Sequence, residues 1–197
     1  MDKSIEISKG VTIEKYQLLL KNKNKTEISE IIYNRFYDRY LKPFSFPNDD
    51  FKKNYKHGFS MMASACLLIE TYMAFKKGKK DTKKLGSKYF QEFFNTEPEF
   101  AIFKDSSTPE KFYYNVRCGI MHQGETNNGW TITRKHRSPL FDKTTFQINA
   151  YEFQQELNNV LLRYKSDLQT KDLSDETWVN LIKKMEHVID NCKKVES

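Results

Sequence analysis

Residues 59–75 read FSMMASACLLIETYMAF and form the longest apolar helical stretch of the chain. They lie within a predicted helix from about Phe51 to Lys77, which carries apolar side chains on nearly all sides. A helix of this kind needs apolar neighbours all round and is typical of the centre of a helical bundle. Its most apolar run, from Met61 to Ile69, is far too short to span a bilayer, so we expect no membrane segment.

Apolar periodicity and capping residues predict further helices on both sides of this one. They run from an N-cap at Thr26 to about Leu41, from about Ser87 to Phe94, from Thr108 with Pro109 at its first position to a stop at Gly124, from Asn149 with Glu152 to about Leu168, and from Ser174 to near Cys192. Two segments, 130–134 and 145–148, alternate with period two and predict a small β-hairpin around a basic loop. The sequence therefore predicts an all-α fold. It is an up-and-down helical bundle in a single domain over residues 1–197, with the hairpin inserted at about 129–148.

Composition restricts the classes of function. The chain of 197 residues has 33 Lys and Arg against 26 Asp and Glu, a net charge of +7. This balance favours a polyanionic partner such as nucleic acid, although excess lysine often serves only solubility. The three cysteines form no CxxC pair, which suits a reducing cytoplasm. The charged N-terminus precedes no apolar signal region. The spacing of candidate ligands predicts no metal centre, and we expect no cofactor.

An arginine and a histidine near the end of one predicted helix are the candidate catalytic residues. Arg117 and His122 are separated by four residues, in the sequence RCGIMH. A guanidinium is always charged and binds phosphate, whereas an imidazole transfers protons near neutral pH. These are the two groups that a metal-free ribonuclease requires. The spacing alone arises by chance in roughly one such sequence in three, so the context has to support it.

The helix that carries this pair has two apolar-leaning faces. Phe112, Tyr113, Val116 and Ile120 share the ordinary core stripe, and the opposite face holds Tyr114, Cys118 and Met121. One explanation is that the second face packs against another helix of the same chain. The other is a two-fold dimer, which would bring two Arg–His pairs into a single cleft.

Glu70 interrupts the apolar core helix and is a second clue. Its neighbours at helical spacing are mostly apolar, and a buried carboxylate is costly unless it is paired or hydrogen-bonded. Arg117 is a suitable partner because a guanidinium matches the geometry of a carboxylate. The alternatives are that Glu70 reaches solvent or pairs with a lysine or tyrosine of the bundle.

Two basic segments are candidates for phosphate binding. Arg134, Lys135 and Arg137, with His136 between them, lie in the predicted hairpin loop and gain affinity for phosphates by releasing counterions. A solvated loop is the alternative. The lysine-rich tract from Lys76 to Lys84 carries the same ambiguity and is more typical of a solvated linker.

At these residues the chain resembles the HEPN superfamily, whose ribonuclease members carry an arginine, four to six residues, and then a histidine near a helix end in a small α-bundle. Arg117 and His122 match this pattern, and the likeness covers roughly residues 51–168. It extends to the acidic Glu70 in the long apolar helix and to the segment from the predicted hairpin into Ile148-Asn149-Ala150. It departs from the family at Cys118, where many active members have a polar residue.

The resemblance implies a homodimer with a composite cleft that cleaves RNA without metal. Toxin and antiviral-defence roles, with a neutralising protein partner, are common among such proteins. By this likeness His122 acts as general acid or base, Arg117 holds the scissile phosphate, and Glu70 and Cys118 support the site. Other members bind RNA, nucleotides or partner proteins without catalysis, which is the second hypothesis. The third is a structural or interaction protein in which Arg117 and His122 have no joint role.

Overall fold

A computed structural model of the protein describes residues 3–45, 54–83, 85–135 and 137–192, and within these ranges the chain is mostly helical. The helices are α1 (Ile13–Lys21), α2 (Lys25–Phe36), α3 (Gly58–Lys76), α4 (Gly86–Thr96), α5 (residues 108–123), α6 (Ala150–Thr170) and α7 (Glu176–Asp190). The strands are β1 (Glu6–Ser8), β2 (Val11–Thr12), β3 (Thr131–Thr133), β4 (Phe141–Asp142) and β5 (Gln147–Asn149). The predicted start of the core helix near Phe51 is wrong in that residues 55–57 are not helical and the helix begins at Gly58. Phe51 itself, Lys84 and His136 lie outside the described residues.

The core helix α3 has the central position that its sequence predicts. It contacts α4, α5, α6 and α7, and its apolar side chains belong to one continuous hydrophobic cluster. By length and composition alone α3 is able to cross a bilayer, but 61% of its apolar window is buried inside the fold. The same composition occurs in core helices of soluble proteins, so α3 is weak support for a membrane segment.

A cluster of phenylalanines fills the space between α3 and the elements that carry the site. It joins α4, the 3₁₀ turn Pro98–Phe103, α5 and α6. Its members are fully buried and meet in stacked and edge-to-face pairs: Phe90, Phe93, Phe94, Phe100, Phe103, Phe112 and Phe153. Buried aromatic rings contribute large apolar areas, so this cluster fixes the position of α5 on the bundle.

The predicted hairpin is wrong in its topology. Strands β3 and β5, which correspond to its two arms, run parallel, with Ile132 opposite Ile148. The antiparallel partner of β5 is the short strand β4, so the sheet order is β3-β5-β4. Period-two alternation identifies strands but not their direction. The loop between β3 and β4 is held by Asn149, whose Nδ2 donates to the carbonyls of Lys135 and Ser138.

Several helix starts differ from the prediction because another residue supplies the cap. Asn24 rather than Thr26 caps α2, and Asp175 rather than Ser174 caps α7. For α6 the prediction is confirmed, since Asn149 Oδ1 accepts from the backbone N–H groups of Tyr151 and Glu152. The sequence analysis did not predict helix α1 or the antiparallel pair of β1 and β2.

Candidate functional site

A π-turn in α5 sets the direction of the candidate arginine. Segments Thr108–Phe112 and Gly119–Gln123 are α-helical, and Tyr113–Cys118 between them has the wider π geometry. A π-turn adds a residue to one helical turn and rotates the side chains that follow, and such turns are frequent at functional sites. The predicted core stripe is retained, with Phe112 and Val116 buried, and Gly124 ends the helix as predicted.

Arg117 lies in this turn and contacts Glu70 of α3. Its Nε donates to Glu70 Oε1 at 2.7 Å, with the two side chains 19% and 14% exposed. The predicted pairing of these residues is therefore confirmed. The hydrogen bond uses Nε, and the neighbouring Cys118 side chain also interacts with the guanidinium. Burial by itself lowers the pKa of a guanidinium, but the hydrogen bond and charge of Glu70 outweigh it, so the pKa of Arg117 is raised.

The second oxygen of Glu70 is also occupied. Thr82, in the segment after α3, donates its hydroxyl to Glu70 Oε2 at 3.2 Å. The carboxylate is thus held from both sides and fixes the guanidinium of Arg117 in turn. Sequence reasoning missed Thr82, because it lies in a lysine-rich stretch that gives no sign of contact with the core helix.

The remaining side chains around Arg117 are a tyrosine and two thiols. The guanidinium lies over the ring of Tyr113, 5.6 Å from its centroid, which is within the range of a cation–π contact. Burial, and then the neighbouring Cys118 thiol, raise the pKa of Tyr113. Cys118 is half-buried beside this pair, and Cys66 is buried below it in α3. Burial, reinforced by the charge of Glu70, raises the pKa of Cys66 and keeps its thiol protonated.

His122 lies apart from Arg117 within one protomer. It is exposed in the last turn of α5, whereas Arg117 faces α3. No hydrogen bond joins the two side chains among the described residues. Arg117 lies in the π-turn, and His122 follows five positions later in the α-helical end of α5. A single copy of the chain therefore holds the arginine firmly but does not direct the histidine to the same point.

The second face of α5 is not covered by the rest of the described chain. Tyr114 is 54% exposed and Met121 39% exposed. The explanation that this face packs against another helix of the same chain is therefore wrong for these two residues. Leu67 of α3, one turn before Glu70, is also exposed.

A tight loop after α5 holds the end of the helix. The buried Asn115 accepts hydrogen bonds from the Asn128 side chain at 2.7 Å and from the Asn127 backbone at 2.9 Å. A Cβ at Gly119 would collide with the backbone oxygen of Glu125, so this close return of the chain requires glycine. The loop thus fixes the turn that carries His122.

The predicted phosphate-binding loop lies at the other end of α3. Arg134 packs against Gly58, and its Nη1 is 3.1 Å from His57 Nδ1. Lys135 and Arg137 are exposed. At 1.5 Å per residue, the 12 residues from Gly58 to Glu70 span about 18 Å. The structure therefore does not bring Arg134, Lys135 and Arg137 together with Arg117.

The most deeply buried carboxylate of the described chain is Glu97, which sequence reasoning also missed. Its side chain is completely buried and binds Arg163 of α6, Lys76 Nζ at 2.6 Å and the Tyr72 hydroxyl at 3.2 Å. Glu99 binds the same guanidinium through both of its oxygens at 2.9 Å. Within the described ranges, no three His, Cys, Asp or Glu residues cluster as a metal site would require. Glu97 therefore belongs to a structural ion network.

Comparison with protein-family models, curated proteins and solved structures gives no significant match.

Proposed function

We propose that the protein is a metal-independent endoribonuclease of HEPN type that acts as a homodimer. The observation that carries the proposal is the arrangement around Arg117. A charged guanidinium is fixed by Glu70 through its Nε, on a helix whose opposite face exposes Tyr114 and Met121. Pairing that face with a second copy would place two Arg117 and two His122 side chains along one cleft.

The reaction assigned to this cleft is transesterification of RNA. One His122 removes the proton of the 2′-hydroxyl as that oxygen attacks the phosphorus, and the bond from phosphorus to the 5′-oxygen breaks. The His122 of the second copy donates a proton to the leaving 5′-oxygen. Arg117 stabilises the additional negative charge on the phosphate as the new bond forms. The products are a 2′,3′-cyclic phosphate and a free 5′-hydroxyl.

Cleavage of single-stranded RNA in excess EDTA tests this proposal. We expect cyclic phosphate ends and no cleavage of DNA, because DNA has no 2′-hydroxyl. His122→Ala removes proton transfer and lowers the rate about 10²–10⁴-fold while RNA binding is retained. Arg117→Ala weakens both binding and turnover, since it removes a phosphate contact as well as charge stabilisation. His187→Ala, which changes a half-buried histidine of α7, is the matched control and leaves cleavage unchanged.

The second candidate is a binding module that holds RNA, a nucleotide or a partner protein at the same cleft. Cys118 favours it, because a thiol is a weak hydrogen-bonding group at a position beside the phosphate-binding arginine. If RNA binds but stays intact, with or without magnesium, the protein is this binding module and not a ribonuclease. Cleavage by Cys118→Asn would then identify the thiol as the cause.

A further inference from the structure

The Arg117–Glu70 pair leaves the candidate cleft short of positive charge. The guanidinium is matched by a carboxylate at 2.7 Å, so the pair is close to neutral as a unit. Affinity for nucleic acid comes largely from cations that displace counterions from the phosphates. A cleft that binds a phosphate chain here therefore needs further cations close to Arg117.

The segment between α3 and α4 borders the pair directly. Thr82 donates to Glu70 Oε2 at 3.2 Å, and a Cβ at Gly86 would come within 2.7 Å of the Tyr113 hydroxyl. The segment is held on its other side by α7, where Lys184 Nζ donates to the carbonyl of Lys80 at 2.7 Å. These contacts position the segment against the site, while Lys79, Lys80 and Lys83 are exposed, as a solvated linker predicts.

This segment carries exposed lysines that form no ion pairs among the described residues. They are Lys79, Lys80 and Lys83. Lys77 at the start of the segment differs, because it is paired with Glu92, as Lys76 at the end of α3 is with Glu97. The one acidic residue here, Asp81, accepts a backbone hydrogen bond from Lys83. The surface beside Arg117 is thus strongly basic.

We propose that Lys79, Lys80 and Lys83 form the surface that binds the RNA backbone as it enters the cleft. This proposal rests on the proposed function and assigns its substrate contacts. Neighbouring Cα atoms are about 3.8 Å apart, so the side chains of Lys80 and Lys83 extend from positions close to Thr82. They contact phosphates within a few nucleotides of the scissile one. The loop with Lys135 and Arg137, about 18 Å along α3, has no part in this contact.

Two matched double variants test the proposal. Lys80→Gln/Lys83→Gln removes two charges beside the site, and Lys135→Gln/Arg137→Gln removes two exposed charges at the distant loop. Both are prepared in the His122→Ala background, so that RNA stays intact. Fluorescence anisotropy with a labelled single-stranded RNA of about 12 nucleotides gives the affinity at several salt concentrations.

We expect the first double variant to bind roughly tenfold more weakly near 0.1 M salt, with a salt dependence smaller by about 1.4 in log–log slope. The second should bind like its parent. Equal losses in the two variants, or a larger loss at the distant loop, would overturn the assignment while leaving RNA binding itself established. A parent protein that binds no RNA even at low salt would instead overturn the proposed function, and this assignment with it.

Discussion

Arg117 Nε and Glu70 Oε1 lie 2.7 Å apart although the two residues are 47 positions apart in the chain. The contact joins the motif helix α5 to the core helix α3, and both side chains are largely but not completely buried. Because Glu70 also accepts from Thr82, its carboxylate is held by neighbours from two other segments. The orientation of the candidate catalytic arginine therefore depends on a residue of the core.

Replacing Glu70 should measure this dependence. We expect Glu70→Ala to lower the free energy of unfolding by about 3–5 kcal/mol, because it leaves a partly buried guanidinium without its partner. Glu70→Gln should cost less, since its amide oxygen still accepts from Arg117 and fills the same space. Glu27→Gln is the control: its pair with Lys15 is exposed and contributes about 1 kcal/mol or less. Denaturant melts in which all three variants match the parent would contradict this role for Glu70.

The buried ion network around Glu97 should also contribute to the free energy of unfolding. Its carboxylate has no exposure and compensates two cations, Arg163 and Lys76. Glu97→Gln leaves this charge unbalanced, and we expect it to lower the free energy of unfolding by about 3–5 kcal/mol. The comparison is Glu92→Gln, which removes the partner of Lys77 at the surface and should cost about 1 kcal/mol or less. Equal melting curves for the two variants would show that the buried network contributes nothing to stability.

Asp105 caps the start of α5 in a way that makes the stability of the fold depend on pH. Its Oδ1 accepts from the backbone N–H groups of Ser107 and Thr108, and its Oδ2 from the Thr108 hydroxyl. Burial alone would raise the pKa of Asp105, but the hydrogen bonds with Thr108 and Ser107 outweigh it and hold the pKa well below its usual value. Thr108 is the residue predicted to cap this helix, but in the structure its N–H and hydroxyl groups donate to Asp105.

A group with a lowered pKa in the folded state stabilises the fold above its unfolded pKa, here about 3.9. That contribution is lost as the pH falls through the folded pKa. We expect Asp105→Ala to cost about 0.5–2 kcal/mol near pH 7, a difference that shrinks below about pH 4. Asp105→Asn should keep much of the cap but lose the pH dependence. Urea melts from pH 7 to pH 2 check this, and identical pH profiles for parent and Asp105→Asn would contradict it.

The features that the sequence predicts well are those that depend on local pattern or on burial cost. The apolar helix α3, the stop at Gly124 and the cap at Asn149 follow from neighbouring residues. The Glu70–Arg117 pair follows because a carboxylate among apolar residues needs a cation. Each of these features can be inferred without knowing how distant segments of the chain pack together.

The features that it does not predict depend on distant contacts or on small differences in helix geometry. The π-turn Tyr113–Cys118 has no signature in residue type, yet it determines where Arg117 points. The parallel pairing of β3 with β5 depends on the path of the chain between them. Glu97 is flanked by Thr96 and Pro98, and its cation Arg163 lies 66 positions further along the chain in α6.

The exposed apolar face of α5 should mediate dimerisation. Tyr114 and Met121 are the residues that a two-fold contact would cover. Light scattering at micromolar concentration is expected to give about twice 23.5 kDa. Met121→Lys should shift the protein towards the monomer, because it places a charge in the centre of the contact. Val179→Lys, a similar change at an exposed apolar residue of α7, should leave the mass unchanged. A monomeric parent would contradict both the dimer and the composite cleft.

Mixing two inactive variants should reveal whether the cleft is shared between subunits. Arg117→Ala and His122→Ala are each expected to be inactive as homodimers. After subunit exchange about half of the dimers are mixed, and each of these retains one Arg117 and one His122. If both side chains serve a single cleft, the mixture should cleave faster than either homodimer but below half of the parent rate, because one His122 supplies only one of the two proton transfers. The comparison is the same mixture with Met121→Lys in both chains, in which weakened association should abolish recovery. Mixed dimers, verified by mass spectrometry, that cleave no faster than either homodimer would contradict a cleft shared between the subunits.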